Sequence, residues 1–221
     1  MTRLAIFDLD HTLLAGDSDY LWGRYLVRHG LVDGDDYERR NRQYYEEYLA
    51  GTLDILAFCR FSLAPLAAHP LTRLLALRER FIDEEIRPIV AGGAPALLDR
   101  HRAGADTLLI TTATNRFVTE PIAALLGVPH LIATDPEFIG GRYTGEVAGI
   151  PNFREGKVVR LKAWREAQPT VYTGSICYSD SRNDIPLLES GDEAVAVDPD
   201  PQLRAEAGRR GWPVISLTGP L

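Results

Sequence analysis

The sequence predicts an α/β chain in which a parallel sheet is covered by helices and interrupted, after its first strand, by a long all-helical insert. Three observations carry that expectation. Short apolar runs at residues 4–7, 107–110, 175–179 and 194–197 alternate with helical stretches, the order that yields parallel strands joined by helical crossovers. About 70 residues after the first run read as consecutive helices with no strand among them. Several of the runs end in acid or hydroxyl residues, at the edge where open parallel sheets bind ligands.

Composition narrows the class. A length of 221 residues suits one α/β domain with a smaller insert, and 45% hydrophobic residues suffice for a real core. The net charge of −7 leaves no basic stripe to neutralise phosphates, so nucleic acid is not an expected partner. Cys59 and Cys177 lie far apart in apolar surroundings without metal or redox spacing. They read as small core residues in a reducing compartment, and the expected location is cytoplasmic. Asp8 and Asp10 break the first apolar run too early for a signal peptide. No uncharged apolar run reaches the ~18 residues of a membrane span, so no membrane association is expected.

The elements follow in order. Residues 4–7 form a buried strand. Asp17 or Ser18 caps a helix whose apolar face carries Tyr20, Leu21, Tyr25 and Leu26, with Trp22 beside them, until Gly30 stops it. Asp33-Gly34-Asp35 opens a second helix through Tyr37, Tyr44, Tyr45, Tyr48 and Leu49, ended by Gly51. Two more helices are expected at 53–66 and 70–85, with Pro88 closing the block. The division is therefore a core of residues 1–16 and 88–221 around a helical insert at 17–87. The tyrosines are expected mainly to pack inside the insert, with a substrate-facing one left open. The core continues with a helix at 94–103, a strand at 107–110, a helix at 117–126 and a hairpin turning on Gly140-Gly141. A helix at 158–167, a strand at 175–179, a helix beginning at 184, a strand at 194–197, a helix at 203–210 and a strand at 214–215 complete it.

Chemistry concentrates at the strand ends. Asp8 and Asp10, at i and i+2 in extended backbone, project to one side. Two carboxylates ~4 Å apart repel by roughly 4 kcal/mol at an effective dielectric near 20, so something cationic should hold them. Thr111, followed by Thr112, is a short hydroxyl at a strand end, able to bond a phosphoryl oxygen. Gly156-Lys157 is not a Walker A loop, because the upstream Gly and the following Ser or Thr are missing. Asp180 ends the run at 175–179, and Asp184 follows four residues on, at a helix start.

The stretch Leu4-Ala5-Ile6-Phe7-Asp8-Leu9-Asp10-His11-Thr12 resembles the first motif of the haloacid dehalogenase superfamily, an apolar strand followed by Asp-x-Asp-x-Thr. Thr111 resembles its second motif, Lys157 its third, and Ser179-Asp180-Ser181-Arg182-Asn183-Asp184 its fourth, with the Asn-Asp pair of the phosphoserine-phosphatase-like branch, subclass IB. The overall pattern is similar to bacterial subclass-IB proteins assigned as histidinol-phosphatases. The resemblance implies a Rossmann-like doubly wound core with a C1-type helical cap that covers the site and selects the substrate. It implies Asp8 as the phosphoryl-accepting nucleophile and Asp10 as general acid and base. It further implies phosphate binding by Thr111, Thr112, Lys157 and Asn183, and Mg²⁺ held by Asp8, Asp10, Asp180 and Asp184. The expected partner is a small phosphorylated metabolite. Asp17 takes the place of an acidic cap residue that binds a substrate ammonium. The branch's carboxylate-clamping Arg falls at Ser62, with Arg60 two positions away. A missing clamp favours an amine-bearing substrate without a carboxylate, so histidinol phosphate is expected; phosphoserine, or transfer to an acceptor other than water, are the alternatives. His11 departs from the usual small residue and reads as loop variation.

Overall fold

The computed structural model describes residues 2–219. Its first strand, β1 (Leu4–Phe7), is central. The sheet adds β2 (Thr107–Asn115), β3 (His130–Thr134), β6 (Ser175–Ser179), β7 (Glu193–Val197) and β8 (Val214–Ile215) in the order β3-β2-β1-β6-β7-β8. Every neighbouring pair in it is parallel. Phe7 is in register with Ile110 on one side and Tyr178 on the other. Asp8 and Asp180 therefore leave two adjacent strands level with Thr111 and Thr112 of β2, at one edge, where the strand order switches direction.

Side-chain alternation divides the strands between two cores. Ala5, Phe7, Leu108 and Ile110 face one; Leu4, Ile6 and Leu109 face the other. The first is covered by α5 (Ala94–Ala103), α6 (Arg116–Leu125) and the insert, and the second by α7 (Glu155–Glu166), α8 (Ile185–Ser190) and α9 (Pro201–Arg210). A two-stranded antiparallel hairpin, β4 (Pro136–Ile139) and β5 (Arg142–Val147), turns on Gly140 and Gly141, at φ +59° and +82°. Only glycine accepts two consecutive left-handed residues cheaply. The strand expected at 107–110 runs on to Asn115, with a register irregularity after Thr112. Thr111, Thr112 and Thr114 favour extended backbone, and the pairing with β3 holds them there.

The insert contains α1 (Ser18–Arg28), α2 (Gly34–Ala50), α3 (Ile55–Ala68) and α4 (Leu71–Phe81). The last helix ends earlier than the expected 85: a wider turn, Ile82–Ile86, and a tight one, Arg87–Ile89, follow it. The change of pitch lets Phe81, Ile82 and Ile86 all be buried. Trp22, fully buried, meets Phe81 at 5.1 Å in the insert and Phe117 of α6 at 5.9 Å, so the insert and the sheet domain share one apolar core. The two connecting segments are tied together. Ala15 N donates to Ile89 O at 2.6 Å and Ala91 N to Leu13 O at 3.0 Å, around a bridge between Leu14 and Val90. Both cysteines are free and buried. No single helix among the described residues is long and apolar enough to cross a membrane.

Because Trp22 bridges the two halves, Trp22→Ala should lower unfolding free energy by about 3–5 kcal/mol. Denaturant titration should report it as a lower midpoint with an unchanged slope.

Candidate active site

Asp8 follows β1 directly and is 6% exposed. The ammonium of Lys157, in the first turn of α7 and 3% exposed, donates to Asp8 Oδ1 at 2.7 Å and to Asp184 Oδ2 at 2.6 Å. Ser179 Oγ adds a hydrogen bond to Asp184 Oδ2 at 2.8 Å. Thr12 Oγ1 lies 3.3 Å from Asp8 Oδ2 and 3.1 Å from Asp180 Oδ1, and accepts from the Asp180 amide at 3.1 Å. One hydroxyl has one proton, so at any moment it serves only one of those two carboxylates.

The charge balance is therefore negative. Burial raises the Asp8 carboxyl to about 7 against the pull of Lys157, with Asp184 and Asp10 adding to the rise. Burial, then Asp8 and Asp184, hold Asp180 well above the usual carboxylate range. Burial works against the Lys157 charge, but Asp184 and Asp8 outweigh it and hold that ammonium protonated.

Asp10 points elsewhere. Its Oδ1 accepts from the Ser18 amide at 2.6 Å, and its Oδ2 from Thr114 Oγ1 at 2.8 Å and Thr112 Oγ1 at 3.3 Å. Leu9 packs in the same core as Phe7, so the alternation holds through Asp10, and the chain reverses only at His11, whose φ is +57°. Ser18 is the first residue of α1, and its free amide is one of the unpaired donors of a helix start. Both carboxylates still line one cavity, together with Asp17, Asp19, Tyr44, Tyr45, Tyr48, Phe58, Thr112, Thr114, Phe153, Lys157, Asn183 and Asp184.

Several expected roles change. The four carboxylates do not gather around one point: Asp10 is turned to Ser18, Thr112 and Thr114, and Asp184 to Lys157 and Ser179. No group of three acidic, histidine or cysteine side chains among the described residues is placed to hold an ion on its own. Asp8 and Asp180 remain, sharing the Thr12 hydroxyl, an all-oxygen pair whose excess charge suits a hard cation that keeps water ligands. Thr111 is fully buried and does not line the cavity; its Oγ1 accepts from Asn152 Nδ2 at 2.9 Å. Strand alternation gives the cavity to Thr112 and Thr114 instead. Arg60 is exposed on α3, beside Tyr37 and Arg40 in an outer groove, because its helix turns Cys59 and Phe61 inward. Asn183 lines the cavity, with its side chain engaged by Arg154 Nε at 3.0 Å and by the Tyr48 carbonyl at 3.4 Å. Asp17 caps α1 by accepting from Tyr20 N at 2.8 Å and also lines the cavity.

Thr114, Asp19, Tyr45, Tyr48 and Phe153 were not singled out as site residues. Period-two spacing from Thr112 would have found Thr114. Tyr44 and Tyr48, four apart on α2, share a helix face, and that spacing was visible as well. Asp19 and Phe153 carried no distinguishing pattern.

Burial, then the charge of Asp10, raises the Asp17 carboxyl from 3.8 to about 6. A carboxyl whose pKa is raised by folding favours the folded state while protonated, and that advantage fades as pH climbs from the lower value through the higher. Asp17→Asn keeps the cap and removes the ionisation. Its melting temperature relative to wild type should therefore rise between pH 4 and pH 7, as read by thermal scans in one buffer series. Lys157→Met leaves Asp8 and Asp184 buried without their cation, and should lower stability by about 3–5 kcal/mol in urea titration at neutral pH.

A family description, haloacid dehalogenase-like hydrolase, matches residues 5–189. A histidinol-phosphatase of Neisseria meningitidis serogroup C is 42% identical, covering 98% of this chain and 100% of its own. A probable phosphatase of Mycobacterium tuberculosis is 29% identical over 98% of this chain and 76% of its own. Among solved structures, a Bordetella pertussis protein of unknown function is 47% identical with a TM-score of 0.93, covering 98% of this chain and 99% of that one. A substrate-bound phosphoserine phosphatase shares the fold at 17% identity and a TM-score of 0.72, over 99% of this chain and 94% of that one.

Proposed function

The chain belongs to the haloacid dehalogenase-like hydrolase family, and we propose that it is a Mg²⁺-dependent phosphomonoesterase that hydrolyses histidinol phosphate through a phosphorylated Asp8. The observation that carries the reading is the buried ion triad: Lys157 bonded at once to Asp8 and Asp184 beneath a cavity that Asp10 also lines.

In this reading an Asp8 oxygen attacks phosphorus in line as the bond to the ester oxygen breaks. Asp10, held by Thr112, Thr114 and the Ser18 amide, acts as the general acid that delivers a proton to the leaving alkoxide. The same carboxylate then takes a proton from water, whose oxygen attacks phosphorus and frees Asp8 and inorganic phosphate. Lys157 supplies a fixed positive charge beside the attacking oxygen, and the Thr112 hydroxyl and the Asn183 amide border the phosphoryl site. Asp8 and Asp180 are the residues that would hold Mg²⁺, which when bound offsets the charge of the phosphate dianion. The helical insert, 17–87, acts as the cap that closes this cavity and keeps bulk water out.

Two findings favour histidinol phosphate over phosphoserine. The relative at 42% identity bears that name. Lys157 is the only Lys or Arg lining the cavity among the described residues, and it is already paired, so nothing there would hold a substrate carboxylate.

Asp8→Asn should cut kcat by ~10³-fold or more while leaving the far-ultraviolet circular dichroism spectrum that of a folded protein. The panel should contain histidinol phosphate, phosphoserine, sugar phosphates and nucleotides, each with Mg²⁺ and with chelator. Histidinol phosphate should give the highest kcat/KM and chelator should abolish turnover. Wild-type rates from pure Asp8→Asn would remove the nucleophile, and a far better substrate elsewhere on the panel would replace the substrate assignment.

A further inference from the structure

The cavity contains two acids that the reaction above does not use, Asp17 and Asp19, and of these Asp19 is the one without a close partner. Asp19 is 9% exposed, lines the cavity and faces no cation. Its nearest partner is Asn115 Nδ2, at 3.5 Å from Oδ1, the edge of hydrogen-bond range; its other oxygen has no donor among the described residues. Each of the neighbouring acids has a compensating group: Asp8 has Lys157, Asp17 the Tyr20 amide, and Asp180 the hydroxyl of Thr12. For Asp19 burial, then Asp17, then Asp10, all raise the carboxyl, and nothing lowers it. A buried carboxylate without a partner is costly, and proteins retain one when a ligand completes it.

The surroundings define that ligand. Asp17 and Asp19 stand two residues apart at the start of α1, on the insert side of Asp10. Aromatic rings line the same cavity: Tyr44 and Phe58 meet edge to face at 5.4 Å, and Tyr45 packs on Tyr20 at 5.0 Å. An acidic floor with an aromatic wall suits a flat or compact cation and excludes an anion.

We propose that Asp19 is a specificity-determining residue that binds a second, distal basic nitrogen of the substrate, Asp17 taking the nearer ammonium. The substrate class is a phosphate monoester of an amino alcohol that carries a further protonatable nitrogen and no carboxylate. This deepens the proposed function and rests on it.

The test measures kcat and KM for wild type and Asp19→Asn on L-histidinol phosphate and on glycerol phosphate, which has neither cation nor carboxylate. Asparagine keeps the shape of a protonated aspartic acid, so a purely structural Asp19 would leave the ratio of the two kcat/KM values as it is. The proposal expects that ratio to fall by about tenfold to a hundredfold, the worth of one charged hydrogen bond, with the loss in KM. An unaltered ratio overturns the assignment of Asp19 while the phosphatase reading stands. A wild-type protein that hydrolyses neither ester overturns both. If Asp19→Asn does not fold, wild type decides: histidinol phosphate should show a KM at least tenfold below that of O-phosphoethanolamine, which has a single ammonium, and equal KM values overturn the proposal.

Discussion

The buried ammonium of Lys157 is the interaction on which the site depends. It lies between Asp8 at the end of β1 and Asp184 ahead of α8, and α7 carries it there. Three segments far apart in the chain thus meet at one charge. Desolvating three ions is expensive, and a single ammonium repays it only because both of its carboxylate bonds are short and Ser179 satisfies a further lone pair. The remainder stays unbalanced, with Asp180 sharing one hydroxyl with Asp8. A protein that keeps such an excess of buried negative charge is built to receive positive charge, and here two regions ask for it. One lies between Asp8 and Asp180; the other lies beside Asp17 and Asp19.

The helical insert reaches the cavity from its first residue. Asp17 caps α1, and the next amide, Ser18 N, binds Asp10. The same helix start that stabilises the insert therefore sets the direction of the Asp10 carboxyl, with the positive end of the helix dipole beside it. At its other end α2 docks on the core through carbonyls. Arg154 Nη2 donates to Gly51 O at 2.6 Å, and Asn183 Nδ2 to Tyr48 O. Arg154 holds φ +50°, a strained value for a residue with a side chain, while its guanidinium bonds both Gly51 and Asn183. The loop that delivers Lys157 and the loop that delivers Asp184 are thereby joined to the insert at one arginine.

Asn152 plays the corresponding part inside the core. Its amide nitrogen reaches Thr111 Oγ1, Thr112 O and Ile132 O, each within 3.0 Å, and its backbone amide bonds Thr134 Oγ1. Thr111 therefore acts as an anchor for the loop ahead of α7, at one step removed from the cavity. Its neighbour Thr112 faces the cavity, because adjacent residues on a strand face opposite ways.

Much of the molecule was legible from local pattern. The strand ends bearing Asp8 and Asp180, the helix stop at Gly51, and the glycine turn at 140–141 each follow from periodicity or backbone freedom within a few residues. So does the presence of two acids at each end of the chain, since that is a matter of composition and spacing. Where those acids point was not legible. Asp8 and Asp10 share a cavity as their spacing implies, but donors from distant segments, the Ser18 amide and the hydroxyls of Thr112 and Thr114, hold Asp10, and the burial of Lys157 assigned Asp184 to an ammonium. Arg60 faced outward because its helix buries Cys59 and Phe61, a choice made by packing against other helices. The isolation of Asp19 depends on every group that surrounds it, and no stretch of sequence records which cations are absent from a cavity. Residue types and their intervals are properties of the chain alone; the direction of a side chain and the balance of charge around it arise only when distant segments exclude water together.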